Sequence, residues 1–325
     1  MCTKPIVDVS IIIPSFNRAR LLSETLDSVL SQTVQAREII VVDDGSTDNT
    51  SEVLKEYGDK IRYLFQENQG VSAARNYGVR VASSKYIAFN DSDDHWLPEK
   101  LEKQVAAMEE NPHFIAHVCN VSWLKKDGSL VSQSFRQSEN GGDQRSFIEG
   151  ELDSPLQWVL RDSVAVIQTI MVQASVLKIS GLFDDTLSLW EDTDFAARVA
   201  LCGPWGFTNQ PLVNVREIDE DSERLSSNRN NLVDSLGIRR SVLGSLLEKK
   251  KNNKQKHIIK AALARTTYAL AKAKVGIGEL KEAKGYYIES FNLGVKLKSA
   301  VMLFFLVLAR GKFHAFLRYI QRNCK

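Results

Sequence analysis

Three carboxylates fall within four residues at Asp91-Ser92-Asp93-Asp94, directly after the apolar run Lys85-Tyr-Ile-Ala-Phe-Asn90. Like charges at that spacing repel, so they persist together only where a cation or strong donors offset the repulsion. Hard carboxylate oxygens suit Mg2+ or Mn2+, ions that share their coordination shell with substrate phosphates. An apolar run ending in such a cluster reads as a buried strand delivering acids to the rim of a sheet, where open α/β sheets bind ligands. A solvated acidic turn, or a cap for a helix starting near Leu97-Pro98, would account for Asp94 or His95 alone. It leaves Asp91 and Asp93 unexplained.

Other segments point to the same rim. The first strand ends in Ile13-Pro-Ser-Phe-Asn-Arg18, where Pro14 stops strand pairing and the loop through Ser15 can present backbone groups to a ligand. Phe16 could stack on a base. Ile39–Val42 runs into Asp43-Asp44-Gly45-Ser46-Thr47-Asp48. An acid there can accept the imide N–H of uracil, Gly45 permits a tight turn, and Thr47 or Asp48 caps the next helix. Glu67-Asn-Gln-Gly-Val-Ser-Ala-Ala-Arg-Asn76 sets Gly70 before a helix that carries Arg75 toward a base carbonyl or phosphate. Farther on, Trp190-Glu-Asp-Thr-Asp-Phe195 opens another helix; its Glu191-Asp192 pair is either an acidic first turn favoured by the helix dipole or a reactive carboxylate. Singly these signals are weak.

The elements that must position them alternate regularly. Apolar runs at Val9–Ile13, Glu38–Val42, Ile61–Phe65 and Tyr86–Phe89 enclose helical patterns at Ala19–Ser31, Asp48–Tyr57 and Val71–Ala82. Repeated β-α-β units imply an α/β fold with a mostly parallel sheet and helices on both faces. A further helix is expected over Pro98–Met108, strands near Phe114–Trp123, Thr169–Gln173 and Leu212–Arg216, and a mobile polar loop at 137–145. After the charged stretch 217–224 the pattern is all-helical. Ala261–Val275 and Glu279–Leu293 there form a hairpin resembling one tetratricopeptide repeat, too few copies to stand alone. The expected division is a domain over 1–223, with halves 1–98 and 99–223, and a basic helical region over 224–325.

Charge divides the same way. Residues 224–325 hold 22 Lys and Arg against 5 Asp and Glu, and residues 1–223 hold 20 against 35. The acidic part would repel nucleic acid, whereas the basic part would seek an anionic surface. The four cysteines lack metal or disulfide spacing, which fits reduced thiols in a cytoplasmic protein. The opening residues do not read as a signal peptide, and the longest apolar run, Ala300–Ala309, is 10 residues, well short of the ~20 that span a bilayer.

In this order, on alternate strand tips, the motifs resemble those of the family 2 glycosyltransferases, over roughly residues 7–217 and most strongly over 7–104. The resemblance implies a GT-A fold, a Rossmann-like nucleotide-binding half joined to an acceptor-binding half. It implies a UDP-sugar donor whose nucleoside is held by Pro14, Ser15, Phe16 and Asp44, with Gly70 and Arg75 in the same pocket. By the same likeness Asp91, Ser92, Asp93 and Asp94 form a DxD motif touching the ribose and binding a divalent cation (Mn2+ or Mg2+) on the diphosphate. Asp192 matches the general base of an inverting transfer to a glycan or lipid-linked saccharide, and Gly181, Phe183, Asp184 and Asp194 fit the surrounding pattern. One departure concerns the histidine many relatives carry after a late strand: this chain has Val215-Arg-Glu-Ile218, leaving Arg216 as a candidate substitute.

Two readings share the segment 299–325: a core helix packing on the hairpin, or a helix lying peripherally on an anionic membrane. Competing functions explain less. A sugar-nucleotide pyrophosphorylase needs a Gly-rich basic loop where Pro14-Ser-Phe-Asn17 stands, and a dehalogenase-type phosphatase needs Thr or Val where Asp94-His95 stands. A membrane-bound helical adaptor has no use for Asp44, Arg75, Asp91, Asp93 and Asp192.

Overall fold

The computed structural model describes residues 4–125, 128–132, 149–152, 154–162, 166–216 and 232–308. The chain divides into two compact units, Met1–Arg224 and Leu225–Lys325. The polar stretch 137–145, the charged stretch 217–224 and the segment after 308 lie outside the described residues.

The first unit opens with β1 (Ile6–Ser15), α1 (Ala19–Leu30), β2 (Gln35–Asp44), α2 (Thr50–Glu56), β3 (Arg62–Gln66), α3 (Val71–Val81) and β4 (Tyr86–Phe89). These follow the expected alternation closely. It continues with β5 (His95–Trp96), α4 (Lys100–Glu110), β6 (Ala116–Leu124), β7 (Leu130–Ser132), β8 (Gly150–Glu151), α5 (Pro155–Asp162), β9 (Ile170–Gln173), α6 (Ala174–Ser180), α7 (Glu191–Ala200) and β10 (Trp205–Arg216). The strand order is β3-β2-β1-β4-β9-β6-β10-β5, with β7 on β6 and β8 on β10. Parallel pairing runs through β3-β2-β1-β4. Beyond β4 the sheet is mixed, because β9 enters antiparallel to both β4 and β6.

Val9, Ile11, Ile12 and Ile13 are completely buried, which is why β1 reads as a nearly continuous apolar run, broken only at Ser10, and not as an alternating one. Burial of each stabilises the fold by about 1.5–3 kcal/mol. The parallel register aligns the strand ends: Ser15 lies opposite Asp43, and Asp44 opposite Gln66. Helix α3 approaches β1 so closely that a Cβ on Gly78 would come 2.5 Å from the Ile12 side chain. Arg75, one turn earlier on that inward face, is therefore buried at the rim.

The second unit comprises α8 (Leu232–Lys249), α9 (Asn253–Gly276), α10 (Leu280–Leu293) and α11 (Lys296–Leu308). Asn252 caps α9 by accepting from the Gln255 amide at 2.9 Å. Helices α9 and α10 form the expected hairpin around Ala271, Val275, Ala283 and Tyr287, and Met302, Leu303 and Leu306 of α11 pack on that cluster. The described part of α11 is thus a core-packing helix. No helix among the described residues is long and apolar enough to cross a membrane.

Candidate functional site

The loops at the carboxyl ends of β1, β2 and β3 lock one another in place. Asn17 adopts a left-handed φ of 52°, and its Oδ1 accepts from the Thr47 amide at 2.8 Å while its own amide donates to Ser46 Oγ at 2.9 Å. Asp48 accepts from the Thr50 amide at 3.0 Å and the Ala19 amide at 3.2 Å, so it tethers the starts of two helices. Asp44 is buried and accepts from Gln66 Nε2 at 2.6 Å, the Gln69 amide at 2.9 Å and the Gly70 amide at 2.8 Å. It holds the turn into α3, and a carboxylate with three donors keeps room for about one more. Gly70 makes that turn at φ 90°, a region disfavoured for side-chain-bearing residues, and Gly45 is required because a Cβ there would lie 2.8 Å from the Asn68 amide. Phe16 remains 37% exposed at the rim, and Ser15 Oγ is buried without a hydrogen-bond partner.

Arg75 gathers the acids. Its Nη2 donates to Asp91 Oδ1 at 2.8 Å, its Nη1 donates to Asp192 Oδ1 at 2.7 Å, and Glu191 lies 3.6 Å from Nη1. One guanidinium, 3% exposed, thus joins the acid turn after β4 to the first turn of α7. Trp190, just before that turn, holds a left-handed φ of 68°. The guanidinium carbon lies 5.2 Å from the centroid of Phe183, whose ring stacks on Phe195 at 4.1 Å and meets Phe89 edge-on at 5.3 Å. Asn76 fixes Phe183 by donating to its carbonyl and accepting from its amide, both at 2.9 Å.

Asp91 and Asp94 share a second donor that carries no sequence signature. Gln168 Nε2 donates to Asp91 Oδ2 at 2.6 Å and also to Asp94 Oδ2. Asp94 Oδ1 accepts from the Arg216 amide at 3.3 Å, so the fourth residue of the cluster ties the acid turn to the end of β10. It caps no helix, since α4 begins at Lys100 after Glu99. Arg216 turns its guanidinium to Glu24 at 2.5 Å. Asp93 lies 3.9 Å from Arg18 Nε, and Ser92 between the acids is buried.

Loss of hydration in this cluster, with the like charges of Glu191 and Asp91, pushes the Asp192 carboxyl well above the ordinary carboxylate range, while Arg75 pulls it back. Arg75 stays ionised because its three acid neighbours outweigh its burial.

No group of three or more His, Cys, Asp and Glu among the described residues is arranged as a metal cage. A cation that takes one or two carboxylates and completes its shell with substrate phosphates needs no such cage, and the oxygen-only donors of the acid turn fit it. The structure brings Asp44, Gly70, Arg75, Asp91, Asp93, Asp94 and Asp192 to one rim, with Phe16 just past β1. Pro14 does not stop strand pairing as expected: β1 runs on through Pro14 and Ser15, opposite Val42 and Asp43, because a proline lacks only its N–H and keeps the extended backbone and carbonyl of a strand. Sequence reasoning missed Gln168. A lone glutamine before a short strand has no spacing to flag it.

Residues 10–165 match the model of the family described as Glycosyl transferase family 2, which spans the tips bearing Asp44, Asp91 and Asp93 and stops short of Asp192. An uncharacterized glycosyltransferase of Rickettsia typhi is 32% identical over 223 residues, 68% of this chain and 67% of the relative. The chain spans only about a third (36%) of two longer glycosyltransferases from Rickettsia felis and Rickettsia conorii, 28% and 29% identical over 230 residues. Among solved structures, Staphylococcus aureus TarS 1-349 in complex with UDP superposes with a TM-score of 0.66 at 18% identity, over 98% of this chain and 92% of that one. The mannosyltransferase PcManGT of Pyrobaculum calidifontis, in complex with GDP-Man and Mn2+, gives 0.55 at 19% identity, over 96% and 83%. The fold is of the GT-A type, and a relative 32% identical over two-thirds of each sequence places this chain in glycosyltransferase family 2.

Proposed function

We propose that this chain transfers a sugar from a UDP-sugar to a hydroxyl of a glycan or lipid-linked saccharide, with inversion at the anomeric carbon. The observation that carries this reading is the meeting of Asp91 and Asp192 on one guanidinium, which sets a donor-side acid and a candidate base in one cluster. In this reading Asp192 accepts the proton of the acceptor hydroxyl as its oxygen attacks the anomeric carbon and the bond to the diphosphate breaks. A carboxyl raised above its usual range suits that task near neutral pH. Asp44, Ser15 and Phe16 would hold the nucleoside. Asp93 and Asp91 would hold Mn2+ or Mg2+, which supplies charge stabilisation to the departing diphosphate. Asp94 would serve the turn itself. The UDP and the GDP-Man with Mn2+ held by the two structural neighbours support a nucleotide-sugar donor and a metal.

Thermal stabilisation by UDP with Mn2+, absent with UDP and EDTA and absent with GDP, is the expected result. Stabilisation by GDP alone would move the donor class, and no shift with any nucleotide would sink the reading.

A second reading concerns the basic unit, which would rest peripherally on the anionic cytoplasmic membrane surface. Leu297, Val301, Ile288 and Phe291 are exposed beside the lysines of α10 and α11. Loss of co-sedimentation with phosphatidylglycerol vesicles is expected on replacing the exposed Leu297 and Val301 with glutamate, which keeps the packed Met302, Leu303 and Leu306; unchanged sedimentation would refute it.

A further inference from the structure

Resting on the donor and metal reading proposed above, we infer that Gln168 is a positioning residue for the cation site, whose amide assembles the acid turn before a metal arrives. Its Nε2 carries two N–H groups, and each goes to a different carboxylate, one to Asp91 Oδ2 at 2.6 Å and one to Asp94 Oδ2. Two carboxylates drawn onto one nitrogen are close enough to repel, and a hydrogen bond to an ionised oxygen offsets that repulsion at each of them. Gln168 is 6% exposed, so its amide is held away from competing water. Asp91 keeps its other oxygen on Arg75, and Asp94 keeps its other oxygen on the Arg216 amide, so Gln168 is the donor that the two acids share.

The fold fixes where that amide stands. β9 pairs antiparallel with β4 through Tyr86 opposite Gln173, Ile87 opposite Val172 and Ala88 opposite Met171. Carried past the end of β4, the same register sets Gln168 opposite Asp91. Gln168 lies in a short turn between Ile167 and Thr169, both completely buried. The Thr169 amide and hydroxyl donate to the Val166 carbonyl at 2.9 and 2.8 Å, and the Thr169 carbonyl accepts from Gln104 Nε2 of α4 at 2.9 Å. The backbone beneath Gln168 is thus pinned on both sides, which limits where its side chain can reach. A cation that completes its shell with substrate phosphate needs its carboxylates already in place. Groups that hold such carboxylates from behind contribute about 10- to 100-fold to metal affinity. A glutamine does so without adding a charge, which leaves the negative charge of the acid turn available to the cation.

The test uses the full chain, with Mn2+ at a fixed concentration of UDP as the probe and bound metal read by electron paramagnetic resonance. Gln168→Met keeps the length of the side chain and removes both donors; it should weaken Mn2+ binding by about 10- to 100-fold. In an Asp94→Asn background, where one of the two repelling charges is gone, the same substitution should cost less than about threefold. Gln104→Met loosens the same turn through Thr169 without touching an acid, and should leave Mn2+ affinity within about threefold of wild type. Unchanged Mn2+ affinity in Gln168→Met would overturn the inference. So would an equal loss in Gln104→Met, which marks a purely structural role, or a full further loss in the Asp94→Asn background, which marks a direct contact with metal or nucleotide. Should Gln168→Met fail to fold, Gln168→Asn keeps the amide but falls one carbon short of reaching both acids, and the same weakening is expected. A wild-type chain that takes up no Mn2+ with UDP would remove the metal reading. Melting in EDTA then decides whether Gln168 holds the acids: a smaller loss for Gln168→Met in the Asp94→Asn background counts for it, and an equal loss against it.

Discussion

Of the cations buried in the first unit, Arg75 and Lys100 have surroundings that differ completely. Arg75 on α3 faces three carboxylates and remains ionised. Lys100, at the start of α4, is fully buried with the Gln104 side-chain oxygen at 2.6 Å and the Trp96 ring centroid at 3.8 Å. Burial with no anion near it pushes its amine down to about 8. Beside it His117 is pushed down to about 3, by burial first and then by the Lys100 charge. The His117 ring, held neutral, has Nδ1 3.2 Å from Gln104 Nε2 and Nε2 3.3 Å from Thr208 Oγ1. A buried charge with counter-charges holds acids together; one without them is a local cost to the fold.

The largest expected effect breaks the acid side of this comparison. Asp192→Asn should lower kcat by about 10²- to 10⁴-fold and leave UDP affinity unchanged, measured by UDP release and calorimetry. In the wild type, the proposed base role predicts that turnover falls as pH drops through the raised Asp192 value, since a protonated carboxyl cannot accept the hydroxyl proton. Asp93→Ala should abolish the Mn2+-dependent part of UDP binding, read as loss of the difference between Mn2+ and EDTA in a thermal shift.

Lys100→Met probes the other cation. At pH 7 the lysine is protonated both folded and unfolded, so the whole cost of burying its charge is present. Between about 8 and its ordinary 10.5 the folded chain releases the proton first, and stability rises with pH. The methionine variant should therefore melt higher at pH 7, by up to about 3 kcal/mol of stability, and this advantage should shrink toward pH 10. Chemical denaturation at the two pH values measures it. The smallest effect concerns His117. Removing the Lys100 charge should raise its titration midpoint slightly, followed by the NMR shift of the ring, with burial still holding it below the ordinary 6.5. An unmoved midpoint would mean that burial alone sets it.

Much of the parallel part of the sheet was legible in the chain itself. Val9–Ile13, Glu38–Val42 and Tyr86–Phe89 are apolar because parallel strands are covered on both faces, and each ends in the residues that the fold brings to the rim. The part of the unit after β4 was less legible. Helices α5 and α6 and the short strands β5 and β8 have weak local patterns, and Gln168 gained its place only because β9 enters the sheet antiparallel between β4 and β6.

The order of acids along the chain, their attachment to strand tips and the split into an acidic α/β unit and a basic helical unit are properties of local periodicity and composition, which short-range backbone preferences express directly. Which acid pairs with which donor is not. Arg75 meeting Asp192, Asp91 and Asp94 sharing the Gln168 amide, and Asp94 joining the Arg216 backbone all require segments far apart in sequence to close around one point. Those choices follow from the packing of α3, α7 and β9, where desolvation and counter-charge decide together which ionised groups can be held.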